Sequence, residues 1–269
     1  MRDVANIFRK SEYSGLDAII LNSKANKFYM GAKYSSRGFV ILSKMFQDPI
    51  ILVDYRSYNH EKSSPTYVLI AKDENPFEKL AEVLSNLKAK TIGFEGGHMT
   101  YNEYEQLSKI LKHATLKNVY FDNERMIKDE NEISLIKKAC EISDQAFKNM
   151  MSKARLGMRE SDLANILVYE MRQLGASGEA FETIVLSGTR TALPHGKTSD
   201  RIIEKGDIVL IDFGANYQDY KSDCTRTFFF GQPNEKLKEI YEIVRIANEK
   251  VLQEARPGMT MEEIDALAR

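Results

Sequence analysis

Two aspartates on either side of a turn carry the strongest chemical signal in the chain. Asp212 closes the apolar run 208–211, and Asp223 precedes the β-prone run 225–230. The first run is short, continuous and rich in β-branched residues, so it reads as a buried strand. Between the runs, Ala215-Asn216-Tyr217-Gln218-Asp219 has the composition of a turn. A hairpin centred between Tyr217 and Gln218 makes the two carboxylates direct cross-strand neighbours, with Cβ atoms roughly 4.5–5.5 Å apart. Like charges so placed are destabilising unless a shared proton, a basic partner or cations offset them. Hard divalent ions prefer carboxylate oxygens, and paired ions about 3.5–4 Å apart activate a water. The spacing equally allows a solvated Asp212 at a strand end and a solvated Asp223 in a turn.

The elements that must position these residues lie in a chain of 269 residues, enough for one large domain or two ordinary ones. Its 38 basic and 39 acidic residues leave a net charge of −1, so nothing in the composition asks for nucleic acid. The 43% apolar and 29% charged content suits a soluble globular protein. Cys140 and Cys224 make neither a disulfide framework nor a C-x-x-C motif. The N-terminus lacks the apolar core of a signal peptide, and no run approaches 18 apolar residues, so no membrane partner and a cytoplasmic location are expected.

From the start of the chain, residues 4–14 have helical spacing, and 18–21, 38–42, 50–53 and 91–95 read as strands. Asn75-Pro76 starts a helix, and Thr100 with Glu103 makes a capping box for another. This alternation predicts a compact α/β domain over 1–122, with a second domain over 123–269. His60, His98 and His113 lack a second ligand at helical spacing and read as surface residues. The second domain opens with a long amphipathic helix over 133–154, then a helix capped by Ser161. A strand over 181–186 leads into a loop carrying Pro194-His195-Gly196.

An internal repeat is also present. Arg155-Leu156-Gly157-Met158 recurs as Arg256-Pro257-Gly258-Met259, 101 residues later, with Ile142, Ala146 and Ala154 matched by Ile243, Ala247 and Ala255. A helix, a Gly-Met break and a second helix thus occur twice, and the strands following the second copy are expected to be missing. Such a half-sheet carries an open edge and an uncovered apolar face.

Taken in order, the motifs resemble the pita-bread metallopeptidases, in their Xaa-Pro aminopeptidase and proline dipeptidase (prolidase) branch. The segments are Ala25-Asn26-Lys27-Phe28-Tyr29-Met30-Gly31, Val53-Asp54-Tyr55-Arg56-Ser57-Tyr58, Lys128-Asp129-Glu130-Asn131-Glu132-Ile133, Phe181-Glu182-Thr183-Ile184-Val185, Pro194-His195-Gly196, Ile211-Asp212-Phe213-Gly214-Ala215 and Ser222-Asp223-Cys224-Thr225-Arg226-Thr227. The fold implied is an α/β N-terminal creatinase-like domain followed by an incomplete α+β pita-bread catalytic domain. The resemblance implies that Asp212 and Asp223 are metal ligands, with Asp223 bridging two divalent ions, manganese being the expected metal. It implies that His195 contacts substrate and helps move protons at the scissile bond, and that Tyr220 and Arg226 support the ligands. Cys224, pointing away from Asp223, is expected to pack. Proline-containing peptides are the implied substrates and a homodimer the implied assembly. The family's remaining ligands, a histidine and two glutamates, have no counterpart here, since no histidine follows His195. The chain is therefore expected to be a C-terminally truncated member, inactive by itself. A creatinase-like C–N hydrolase and a non-catalytic pita-bread binding protein are the alternatives; a methionine aminopeptidase fits the long N-terminal domain less well.

Overall fold

The computed structural model describes residues 3–32, 38–58 and 66–269, and His60 lies outside them. The chain divides into two units, Met1–Ile127 and Lys128–Arg269. No described helix is long and apolar enough to cross a membrane.

The first unit is built on a six-stranded mixed sheet. Its strands are β1 (Ala18–Leu21), β2 (Val40–Ser43), β3 (Ile50–Asp54), β4 (Tyr67–Ile70), β5 (Thr91–Phe94) and β6 (Thr115–Asn118), in the order β4-β3-β2-β1-β5-β6. Alternate side chains enter opposite cores, as the pleat demands. Ile19, Leu21, Val40, Leu42, Ile51 and Val53 pack with Val4 and Phe121 on one face. Ala18, Ile20, Ile41, Leu52 and Ile92 pack with Leu80, Leu84 and Leu107 on the other. Its described helices include α1 (Val4–Phe8), α2 (Lys24–Tyr29), α3 (Pro76–Asn86) and α4 (Tyr101–Ile110). Asn75 and Thr100 cap α3 and α4 as their sequences predict. The helix expected over 4–14 ends at Phe8 and gives way to turns. The edge strands β4 and β6 escape the periodicity, because their exposed residues do not alternate.

Asp17, just ahead of β1, joins this sheet at its centre. It takes a hydrogen bond from Lys44 and from the backbone N–H groups of Lys90 (2.8 Å) and Thr91 (2.9 Å). The Lys44 ammonium and these amides hold its carboxyl down to about 2, from an ordinary 3.8. The folded value is depressed, so the contribution of roughly 2 kcal/mol is complete above about pH 4 and disappears as pH falls through about 2.

The second unit contains α5 (Glu130–Lys153), α6 (Glu160–Gln173), α7 (Glu235–Glu254) and α8 (Met261–Leu267). Its strands are β7 (Gly178–Glu179), β8 (Ile184–Ser187), β9 (Ile208–Phe213), β10 (Ala215–Tyr217), β11 (Tyr220–Lys221) and β12 (Cys224–Phe229). They form two three-stranded sheets, β11-β10-β7 and β12-β9-β8. Val209, Ile211 and Phe213 of β9 pack against Ile142, Ala146 and Met150 of α5 and Leu163, Leu167 and Met171 of α6. Helix α6 starts two residues earlier than a Ser161 cap requires. Arg159 holds the cap position, and the Ser161 hydroxyl donates to Asp200 Oδ1 instead (2.8 Å).

The sequence repeat is matched in the backbone. Ala154 and Ala255 end α5 and α7 with the same extended geometry (φ/ψ −60/134° and −62/132°). Gly157 and Gly258 then take left-handed φ values of 86° and 97°. Burial differs between the copies. Ala139, Ile142, Ser143, Ala146 and Met150 are all buried on α5, whereas their counterparts Ile240, Ile243 and Val244 on α7 are 47–63% exposed.

Two outcomes follow. Asp17→Asn should lose roughly 2 kcal/mol at pH 7 and show a flatter stability profile between about pH 4 and 2, measured by urea unfolding. The double variant Ile243→Lys/Val244→Glu should leave stability within about 0.5 kcal/mol and lower aggregation measured by light scattering.

Candidate metal centre

β9 alternates along its length. Val209, Ile211 and Phe213 are buried, while Ile208, Leu210 and Asp212 lie on the other face, partly exposed. Its partner β12 sets Asp212 opposite Thr225 and Phe213 opposite Cys224. The Asp212–Asp223 pair is therefore diagonal, and the direct opposition expected from sequence is corrected. The turn lies one residue further on, at Gln218-Asp219, with Tyr217 paired to Tyr220. Both turn residues take positive φ, 50° and 65°, the conformation of a type I′ hairpin. A turn at Tyr217-Gln218 would instead force a bulky aromatic into that region, whereas aspartate accepts it more readily. The shift moves the pairing by two residues, which preserves the face of each side chain. Asp223 thus stays on the side of Thr225 and Asp212, at a diagonal spacing of about 7–8 Å or somewhat less.

The hairpin bends where the two sheets meet. A Cβ on Gly214 would lie 2.0 Å from the Ser222 carbonyl oxygen, so only glycine allows this approach. Buried hydroxyls of Ser143 and Ser222 lie 2.7 Å apart, and the Ala215 N–H donates to both (3.1 and 2.9 Å). These serines brace the strand just beside Asp223. Ser143 does not stand out in the sequence, since an isolated serine in a helix has no pattern to read; Ser222 opens the motif that runs to Thr227, but its bracing role is set by the bend.

Thr225 donates its hydroxyl to Asp212 Oδ1 (3.0 Å). Register fixes that partnership, and the misplaced turn hides it at the sequence level. Tyr220 Oη donates to Glu132 Oε1 (3.0 Å) and Arg226 Nη2 to Asp144 Oδ1 (3.0 Å), so both residues tie the hairpin to α5. Cys224 packs toward the core, where burial raises its thiol pKa. His195 is exposed in the loop after the 3₁₀ turn Gly188–Ala192, followed by a buried Gly196. Among the described residues, Asp212 and Asp223 form no ion pair with a basic side chain. Two carboxylates on one face without a cation suit a hard divalent ion, although two donors leave most of a coordination shell to other groups.

A second group of metal-ligating side chains occurs in the first unit, where ligand atoms of Glu95, His98 and Asp122 lie within 4.8 Å of one another. Here the donors are already in place. Glu95 accepts from the Asn22 and Ser23 N–H groups (2.5 and 2.9 Å), the Ser23 hydroxyl and Asn26 Nδ2. His98 Nε2 lies 2.7 Å from Asp122 Oδ2, and Arg125 Nη2 donates to Asp122 Oδ1 (2.7 Å). Burial pushes the Asp122 carboxyl up, but Arg125, His98 and Asn26 together hold it down to about 2. His98 is exposed, as expected, but it does not stand alone: Asp122 lies against its ring, and the network ties the end of β5 to α2. His113 is exposed, as expected.

Comparison with known proteins decides the family. Residues 134–269 match the Metallopeptidase family M24, and residues 4–127 match the Creatinase/Prolidase N-terminal domain. The chain belongs to metallopeptidase family M24. It is 37% identical over 270 residues to a Xaa-Pro dipeptidase of Pyrococcus horikoshii, covering 99% of this chain and 75% of that protein. A solved Xaa-Pro dipeptidase from Bacillus anthracis superposes with a TM-score of 0.90 at 33% identity, over 98% of this chain and 75% of the other. An X-Pro aminopeptidase from Thermotoga maritima gives 0.86 at 34%, over 94% and 74%. This M24 chain therefore has a creatinase-like α/β domain and a partial pita-bread domain, and spans about three quarters of these relatives. The hairpin at Asp212 lies within the M24 match.

Gly214→Ala should cost roughly 3 kcal/mol, because its methyl group meets backbone that cannot rotate away. Urea unfolding of the variant measures this.

Proposed function

We propose that this M24 chain carries part of a dinuclear site for hydrolysing Xaa-Pro peptide bonds, with Asp212 and Asp223 as metal ligands and Asp223 as the bridge. The register supports this reading: Asp212 faces Thr225, strand alternation carries Asp223, two residues before Thr225, to the same side, and neither carboxylate forms an ion pair among the described residues. Both relatives named as Xaa-Pro dipeptidases support the substrate class. Bound divalent ions, manganese in the first place, would polarise the scissile carbonyl and make water a nucleophile near neutral pH. Thr225 holds one Asp212 oxygen in place, so that carboxylate is oriented before any ion arrives. His195 is the group that contacts substrate and moves protons near the departing nitrogen, while Tyr220 and Arg226 secure the hairpin from behind. A cytoplasmic homodimer is the setting proposed for this activity.

Two acidic ligands make a weak site, and the resemblance asks for three more. The chain should bind Mn2+ with modest affinity in calorimetry, and Asp212→Asn should weaken that affinity at least about tenfold. A hybrid with the quarter of the Pyrococcus horikoshii dipeptidase that this chain does not match should release the N-terminal residue of a Xaa-Pro dipeptide only with Mn2+, and should not consume creatine. Unchanged metal affinity in Asp212→Asn would overturn the assignment.

A further inference from the structure

The loop carrying His195 is closed by a single carboxylate from another element. Glu160, at the first position of α6, is fully buried. Its Oε1 accepts from the Ser187 N–H (2.7 Å) and hydroxyl (2.9 Å), at the start of the loop. Its Oε2 accepts from the Ser199 N–H (3.1 Å) and hydroxyl (2.7 Å), at the loop's end. Arg190 then crosses the loop from inside. Its Nε lies 3.3 Å from Glu160 Oε1, and its Nη2 donates to the Lys197 carbonyl (2.5 Å), two residues beyond His195.

A fully buried carboxylate is costly unless its lone pairs are filled, and here five donors fill them. Two of those donors come from each loop end and one from the loop's middle. The arrangement restricts a surface loop, a kind of segment whose backbone ordinarily varies in position. An exposed histidine gains nothing in stability from such restriction. A histidine that must meet a reacting atom gains a great deal, because misplacement by about 1 Å costs orders of magnitude in rate.

The geometry points to Arg190 and Glu160 as positioning residues for His195: Glu160 pins both ends of the loop, and the Arg190 guanidinium fixes the segment that follows the histidine. Nothing in the clamp touches Asp212 or Asp223. The proposal takes its catalytic meaning from the peptidase reading, but the clamp itself can be tested without metal or peptide.

Arg190 is only partly buried, so Arg190→Gln should fold, whereas Glu160→Gln sets an amide donor against other donors and risks unfolding. In proton NMR of the metal-free chain, Arg190→Gln should shift and broaden the His195 Hε1 resonance, assigned with His195→Gln, while leaving the His98 and His113 resonances in place. Amide exchange at residues 189–197 should quicken at least about tenfold in the same variant. Arg190→Lys cannot bridge both partners and should not restore the wild-type resonance. A purely structural role would lower Tm and leave the His195 resonance of the folded protein unchanged, and that result would overturn the proposal. A shift of all the histidine resonances together would also overturn it, since it would mean general loosening. Loss of the clamp effect would leave Mn2+ binding by Asp212 and Asp223 untouched, and loss of Mn2+ binding would leave the clamp, so the two readings fail separately.

Discussion

The structure of the second unit depends on one tight crossing, where the Ser222 carbonyl passes over the Cα of Gly214. That approach leaves no room for a side chain. It lets one long hairpin serve two sheets, with β9 and β12 on one side of the bend and β10 and β11 on the other. The Ser143 and Ser222 hydroxyls satisfy the Ala215 N–H at the bend, where a regular ladder is interrupted. Asp212 and Asp223 sit just to either side of this crossing. Their placement is thus set by backbone packing, before electrostatics enters.

Electrostatics then acts on a fixed frame. In the first unit, acidic groups come with their compensation: Asp17 has Lys44 and two amides, and Asp122 has Arg125 and His98. Both carboxyls are held to about 2 as a result. The Asp212–Asp223 pair has one hydroxyl, from Thr225. Asp212 and Asp223 have no such compensation from a basic side chain among the described residues, and a cation is the chemistry proposed to supply it.

Much of this was legible in the sequence, for identifiable reasons. The strands β1, β2 and β3 are buried throughout, and β5 and β9 are partly buried, so hydrophobicity reveals all five. The caps at Asn75 and Thr100 are local, and local rules find them. The hairpin register was not legible, because it rests on which two residues accept positive φ, and composition alone allowed a turn one residue earlier. The partners of His98 were hidden for another reason: Asp122 is 24 residues away and meets it only through the sheet. Repetition of the helix–Gly-Met–helix unit was plain from the sequence, and the backbone angles at Gly157 and Gly258 repeat with it.

Paramagnetic broadening tests the central claim most directly. With Mn2+ added well below stoichiometric amounts to uniformly labelled protein, amide resonances near the ion disappear first. The account predicts that those of residues 210–214 and 222–227 vanish before any others. Broadening centred on Glu95, His98 and Asp122, or spread evenly over the exposed acidic residues, would contradict it.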